Sequence, residues 1–134
     1  MATETFIMSH TLRLRAIHGQ FAICKLQPED SIPLWATSGP VWSVTRTATE
    51  LSVVCSQEKL PQNIEAERNW RILETVGPLP FEMVGVLSSL AVPLTEAGVS
   101  VFALSTFETD LILVREKSFE IACQVLNKAG HIIT

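Results

Sequence analysis

The sequence lacks tyrosine entirely, and only 10 of its 134 residues are lysine or arginine. These basic residues form no cluster, and the net charge is −4. A protein that binds nucleic acid needs a basic stripe to neutralise the phosphates, and an anionic membrane surface makes a similar demand. We therefore expect no nucleic-acid partner and no membrane partner.

Long apolar runs are also missing. Ser, Pro, Thr or Glu interrupts each apolar stretch well before the ~18 residues that a membrane-spanning helix needs. Residues 1–19 have no basic start followed by an apolar run, so they do not resemble a signal peptide. Cys24, Cys55 and Cys123 are odd in number and far apart, which favours reduced cysteines over a disulfide framework. We expect a cytoplasmic protein.

The sequence contains none of the short motifs that mark catalysis or nucleotide binding, namely G-x-S-x-G, the P-loop and G-x-G-x-x-G. His10, His18 and His131 do not have the spacing of metal ligands, and the scattered cysteines add no zinc site. We therefore predict no enzyme activity, no catalytic residues, no cofactor and no metal.

What the second half does contain is an ordered series of strands and helices. Asn69–Val76 alternates as a strand before a Gly-Pro turn, and apolar spacings of three and four predict a helix over 81–97. Strands over 99–106 and 110–115 follow, and then a helix capped by Ser118 and a short final strand. The order β-α-β-β-α-β is the ferredoxin-like unit of an α+β fold.

The first half repeats this plan. Ser43–Val54 has the sequence SVTRTATELSVV and Ala103–Val114 has ALSTFETDLILV, and each is a strand, a Thr-acid pair and a second strand. The two segments begin 60 residues apart (103 − 43). Pro33 and Pro61 interrupt the segments where the helices of the first unit would lie. The sequence therefore predicts a duplicated fold whose first copy has eroded helices.

We place the degenerate first unit at residues 1–66 and the second unit at residues 67–134. The first unit should begin with two strands, over 11–17 and 20–26, joined at Gly19 and Gln20.

Three stretches resemble the ACT domain family, especially the tandem subgroup that includes the CASTOR arginine sensors and small bacterial proteins of two fused units. They are GVLSSLAVPLTEAGVS from Gly85, STFETDLILV from Ser105 and TRTATELSVV from Thr45. The resemblance implies a module that binds a free amino acid at an interface between modules and thereby regulates something else.

A free amino acid needs donors for its carboxylate, an acceptor for its ammonium group and a pocket for its side chain. The start of the predicted helix offers unpaired N–H groups, and Gly85 allows close approach of a ligand. Asp110 offers a carboxylate to a cationic group. Together with the resemblance, this predicts a ligand site that comprises Pro80, Phe81, Glu82, Met83, Gly85, Ser105, Thr106, Phe107 and Asp110.

The loop before the helix departs from the pattern that the arginine sensors have. Those sensors have a glycine followed by two adjacent acids, where this chain has Pro80 and then Glu82 and Met83. The missing carboxylate argues against arginine as the ligand, but not against the class of amino acids.

Structural roles are open for the same residues. Asp110 and Glu50 are also typical turn residues that bond to their own backbone. Gly85 also allows a helix to pack closely on a sheet, Phe107 also suits a core or an interface, and Arg46 is also placed to pair with Glu50.

The sequence thus predicts an amino-acid-binding regulatory module that acts by ligand-dependent association, as a homodimer or with a protein partner in trans. The alternative is a structural or interaction protein whose ligand site has decayed, which Pro80 and the eroded first copy favour. An RNA binder of the same topology is disfavoured by the acidity and the absence of tyrosine.

Overall fold

The computed structural model describes residues 10–81 and 83–134 of the chain. The strands in these ranges are β1 (Arg13–Leu26), β2 (Ser43–Arg46), β3 (Leu51–Ser56), β4 (Ala66–Thr75), β5 (Val101–Ser105), β6 (Asp110–Arg115) and β7 (Ile132–Ile133), and the helices are α1 (Val86–Glu96) and α2 (Phe119–Lys128). None of the helices in these ranges has the length and apolar character needed to cross a bilayer.

The chain divides into two compact units. The C-terminal unit consists of Ile72–Thr134 and the segment that ends at Ile17, and the N-terminal unit consists of His18–Arg71. β1 and β4 each contribute residues to both units, so the chain passes from one unit to the other within strands. The boundary between residues 66 and 67 stays a prediction.

The C-terminal unit has the strand order β7-β1-β4-β6-β5. β5 and β6 are antiparallel, and β7 is parallel to β1. Val86, Leu90 and Leu94 recur every fourth residue along α1, so they share the buried face of the helix. They form one hydrophobic core with Leu126 of α2 and with strand residues such as Ile112. This confirms the predicted α+β, ferredoxin-like architecture.

The helix predicted over 81–97 is shorter than expected. α1 begins only at Val86, because Gly85 adopts a left-handed conformation with φ of 85° that the helix cannot contain. Pro93 lies within α1, which continues to Glu96. Ser118 does precede α2, but its side chain makes no capping hydrogen bond.

The N-terminal unit has the strand order β2-β3-β1-β4. Single 3-10 turns at Leu34–Thr37 and Gln57–Lys59 stand where a complete copy would have helices. One hydrophobic cluster of this unit consists of the buried residues Ala22, Cys24, Ala36, Val53, Cys55 and Leu60, and Phe21, Leu51, Val54 and Trp70 are buried as well. The erosion of the first copy's helices is therefore confirmed.

The two strands expected over 11–17 and 20–26 are in fact one strand of 14 residues. Gly19 lies inside β1 with φ of 103° and does not end it. A glycine between two apolar segments predicts a turn, but the pairing of β1 with its neighbouring strands continues past Gly19.

The two β-hairpins correspond at an offset of 59 residues, and the expected offset of 60 is wrong. Arg46 lies opposite Leu51 in the first hairpin, and Ser105 lies opposite Asp110 in the second. Both differences, 105 − 46 and 110 − 51, equal 59. Asp110 is therefore equivalent to Leu51 and not to Glu50.

Candidate functional site

The loop from Val76 to Gly85 connects β4 to α1 and is joined to the tip of the β5-β6 hairpin. The Leu79 N–H donates to the Glu108 carbonyl at 2.8 Å. The peptide bond between Gly77 and Pro78 is cis. A Cβ at Gly77 would lie 2.7 Å from Thr109 Cγ2 and 2.9 Å from the Glu108 oxygen, so only glycine allows the loop to approach the hairpin this closely.

A cleft of about 320 Å³ lies between this loop and the hairpin. The loop and the start of α1 form one wall, and the hairpin tip forms the other. The cleft is lined by Leu79, Pro80, Phe81, Met83, Gly85, Val86, Leu87, Ser105, Thr106, Phe107, Glu108, Thr109 and Asp110.

Eight of the nine residues predicted for the ligand site line this cleft, namely Pro80, Phe81, Met83, Gly85, Ser105, Thr106, Phe107 and Asp110. Glu82 lies outside the described residues. The sequence did not point to Val86, Leu87, Glu108 or Thr109, which also line the cleft. The apolar periodicity assigned Leu87 to the buried face of the helix, whereas it is 38% exposed at the edge of that face.

A threonine closes the turn of each hairpin. The Thr106 N–H donates to the Thr109 carbonyl at 2.8 Å, and the Thr106 hydroxyl accepts the Thr109 N–H at 3.0 Å. In the first hairpin the Thr47 N–H donates to the Glu50 carbonyl at 2.9 Å, and the Thr47 hydroxyl accepts the Glu50 N–H at 3.2 Å. The feature common to both bends is thus the threonine that starts the turn, because the acids occupy different positions.

The carboxylate of Asp110 is held at the first position of β6. The Ser105 hydroxyl donates to Asp110 Oδ1 at 2.6 Å across the hairpin. The backbone of Asp110 is fixed by Thr75, whose hydroxyl accepts the Asp110 N–H at 2.8 Å and donates to the Asp110 carbonyl at 3.3 Å. The Asp110 side chain therefore bonds to Ser105 and not to the backbone of the turn. Thr75 is fully buried, and no sequence signal distinguishes it from other strand residues.

The Arg46 side chain bonds to backbone carbonyls. Its guanidinium donates to the Asp30 carbonyl at 2.9 Å and also to the Pro28 carbonyl. Arg46 therefore fastens the segment before β2 and does not pair with Glu50.

Two exposed aromatic rings meet across the mouth of the cleft. The ring centroids of Phe81 and Phe107 are 5.3 Å apart, with an angle of 35° between the ring planes. Phe81 is 75% exposed and Phe107 is 78% exposed, so neither ring belongs to the core. Such a pair stabilises the contact between loop and hairpin, in addition to the hydrogen bond of Leu79 with Glu108.

Two histidines, His10 and His131, bond to Ser89 near the start of α1. The His10 N–H donates to Ser89 Oγ at 3.1 Å, and Ser89 Oγ donates to the Gly85 carbonyl at 2.8 Å. His131 is buried, and its Nδ1 accepts the Leu12 N–H at 3.1 Å while its Nε2 lies 3.0 Å from the Ser89 carbonyl. These contacts give the two histidines structural roles. Among residues 10–81 and 83–134, no group of three His, Cys, Asp or Glu side chains converges on a metal position.

The cysteines are free thiols, and two of them form a buried pair. Cys24 and Cys55 lie in the core of the N-terminal unit on neighbouring strands, where Cys55 is opposite Ala22. A hydrogen bond between the two thiols, together with burial, raises the pKa of Cys24. The same hydrogen bond lowers the pKa of Cys55. The pair belongs to the core and lies apart from the cleft.

Two family models match the chain. The ACT domain model matches residues 65–128, a range that includes the loop, α1 and the hairpin of the cleft. A second model, described as an N-terminal domain, matches residues 19–63. Neither model describes a catalytic domain.

Individual proteins are also similar to this chain. The human putative protein CASTOR3P is 27% identical over 105 residues, which cover 69% of this chain and 64% of the relative, so the chain spans less than two thirds of that protein. A crystal structure from Agrobacterium tumefaciens is 34% identical, with a TM-score of 0.88 and coverage of 93% of both chains. The ligand-free regulatory subunit of aspartate kinase from Thermus thermophilus is 8% identical, with a TM-score of 0.55 over 85% of this chain and 93% of that chain, and it supports the fold alone.

Proposed function

The chain belongs to the ACT domain family, and we propose that it is a non-catalytic regulatory module that binds a free amino acid in the cleft beside α1. The observation that carries this proposal is the convergence of the Asp110 carboxylate and the first turn of α1 on one cleft. Its volume of about 320 Å³ is at the small end of the range for ligand pockets, ~300–1,000 Å³. A ligand the size of an amino acid suits it.

The two walls of the cleft offer groups that match the α-carboxylate and the α-ammonium group of an amino acid. The N–H groups in the first turn of a helix have no partner within the helix, and the helix dipole favours an anion there. Val86 and Leu87 belong to this turn and line the cleft, so the α-carboxylate of the ligand would bind there. The carboxylate of Asp110, oriented by Ser105, would accept the α-ammonium group.

A ligand held in this way contacts both walls of the cleft. It would therefore stabilise the arrangement in which the loop and the hairpin are joined over any arrangement in which they separate. The regulatory output would be a change in association, either with a second copy as a homodimer or with a protein partner in trans. We assign this activity to the cytoplasm.

A second candidate is an interaction protein that has lost its ligand. The exposed side chains of Phe81 and Phe107, which meet at the cleft mouth, favour it, because exposed apolar groups that lie together mark interaction sites. Pro80 also stands where the arginine sensors have a glycine.

A thermal-shift screen of the full chain against the twenty amino acids separates the two candidates. A ligand at ~100 times its Kd adds ~2.7 kcal/mol of stability, which raises the melting temperature measurably. The shift should disappear in a variant with Asp110→Ala. A screen in which no amino acid raises the melting temperature would favour the interaction protein.

A further inference from the structure

We infer that the cleft selects amino acids whose side chains are uncharged and apolar, of the size of leucine, methionine or norleucine. The inference rests on the proposed function, because it concerns the part of the ligand that distinguishes one amino acid from another. Three properties of the cleft lead to it: the charge of its lining, the hydrogen bonds that its polar groups already make, and the distribution of its apolar side chains.

The charge of the lining disfavours an acidic side chain. The described lining has two carboxylates, Asp110 and Glu108, and no lysine, arginine or histidine. An aspartate or glutamate ligand would bring a second carboxylate into a cleft that offers no cationic partner for it. Removing such a group from water without a partner is strongly unfavourable.

The hydrogen bonds already present disfavour a cationic or amide side chain. Thr106 and Thr109 use their hydroxyls within the turn, where the two oxygen atoms are 2.8 Å apart. The Ser105 hydroxyl donates its proton to Asp110 at 2.6 Å. The acceptors that remain are the carboxylates of Asp110 and Glu108. The α-ammonium group of any amino acid would occupy Asp110, and Glu108 is exposed to solvent, so an ion pair between it and a cationic side chain contributes little to binding.

A guanidinium group brings five donors and an ammonium group brings three. Donors that enter the cleft without matching acceptors lose their hydrogen bonds to water, which costs binding free energy. A charged side chain therefore gains little in this cleft over an apolar side chain of the same length.

The apolar part of the lining offers what such a side chain requires. Seven of the lining residues are apolar, and they belong to both the loop and hairpin walls. Phe81 and Phe107 bridge the mouth with their rings, and Leu79, Met83, Val86 and Leu87 lie along the loop and helix side. A branched or linear hydrocarbon chain that enters between the walls would bury apolar surface on both sides, including part of the two exposed rings.

Calorimetric titration of the full chain with matched amino acids tests the inference. Leucine, asparagine and aspartate have nearly the same shape, and norleucine is lysine without its terminal ammonium group. We expect leucine and norleucine to bind at least about tenfold more tightly than asparagine, aspartate and lysine, since even one methylene group in an apolar pocket changes binding by about 10-fold to 200-fold. Arginine is included because its guanidinium group brings the largest number of donors.

The outcomes separate this inference from the proposed function. Tighter binding of lysine, arginine or aspartate than of the apolar amino acids would overturn the inference and leave amino-acid binding intact. The absence of any binding in the whole panel would overturn both.

Phe107→Ala provides a structural check. Ala48 occupies the equivalent position of the first hairpin at the offset of 59, so this type of turn accommodates alanine. We expect Phe107→Ala to weaken leucine binding about tenfold while the binding of alanine changes little, because leucine has the side chain that reaches the ring. Val92→Ala is the control, since Val92 is a half-exposed apolar residue of α1 outside the cleft. Equal weakening of leucine and alanine by Phe107→Ala would contradict the proposed position of the side chain.

Discussion

Thr75 and Asp110 are joined by two hydrogen bonds through a single hydroxyl group. Thr75 Oγ1 accepts the Asp110 N–H at 2.8 Å and donates to the Asp110 carbonyl at 3.3 Å. The two residues are 35 positions apart in the sequence, and Thr75 is fully buried at the end of β4. The position of the Asp110 carboxylate in the cleft therefore depends on a residue that does not line the cleft.

Thr75→Val should lower both stability and ligand affinity. Valine has nearly the same shape but leaves the part-buried N–H and carbonyl of Asp110 without this partner, which costs up to ~1–3 kcal/mol. Urea unfolding measures the stability, and calorimetry with the amino acid identified by screening measures the affinity. Thr75→Ser keeps the hydroxyl and should restore most of both quantities. A fully stable Thr75→Val variant would show that the hydroxyl is dispensable.

Asp110→Asn should weaken amino-acid binding and leave the unliganded protein nearly as stable as before. The asparagine oxygen can still accept the Ser105 hydroxyl, so the hairpin keeps that contact. The ligand loses a charge-assisted hydrogen bond worth ~1.5–3 kcal/mol, which corresponds to a loss of about tenfold to more than a hundredfold in affinity.

Glu50→Gln is the matched control for that change. Glu50 contributes its backbone to the first hairpin's turn, and the offset of 59 makes it equivalent to Thr109 rather than to Asp110. We expect little change in stability or in binding. Large and equal losses of unliganded stability from Asp110→Asn and Glu50→Gln would assign both acids to the fold alone.

Gly85→Ala should cost both stability and binding, because φ at this position is 85°. A side chain in the left-handed region costs about 1–2 kcal/mol, and relaxation of that strain would displace the first turn of α1 from the cleft.

Gly98→Ala is the matched control, because it carries a similar strain, with φ of 76° and no atom within 4 Å of the new Cβ. It lies outside the cleft lining, so it should reduce the melting temperature without affecting affinity. Identical binding losses in the two variants would argue against a ligand near Gly85.

The chain should form a homodimer at micromolar concentration. β2 and β5 stand at the ends of the strand orders of their units, and strand edges of this kind pair readily with other chains. Sedimentation should give about twice the monomer mass of 14.8 kDa. Ala103→Lys places a charge on the exposed side of β5 and should weaken dimerisation if that edge takes part. A single species of 14.8 kDa at high concentration would contradict self-association.

The sequence by itself determined the local features of this protein. Alternation predicted the hairpin strands, the spacing of Val84, Leu87, Ala91 and Leu94 predicted a helix in this region, and the prolines at 33 and 61 predicted the loss of helices in the first copy. These features depend on residues within a few positions of each other, and their effects are therefore visible in a short window of sequence. Eight loop and hairpin residues of the cleft were also predicted, since the family resemblance placed them together, whereas Glu108 and Thr109 were not.

Tertiary structure decided the features that depend on pairing between distant segments. The register of each hairpin makes Asp110 equivalent to Leu51 rather than to Glu50. A shift of one residue in the register turns each side chain to the opposite face of the strand. Pairing with neighbouring strands carried β1 through Gly19 as one strand. Thr75 became a partner of Asp110 only because β4 and β6 are adjacent in the sheet. Hydrogen bonds between strands that lie tens of residues apart leave no periodic signal in the sequence, so the geometry of the cleft was decided by the sheet.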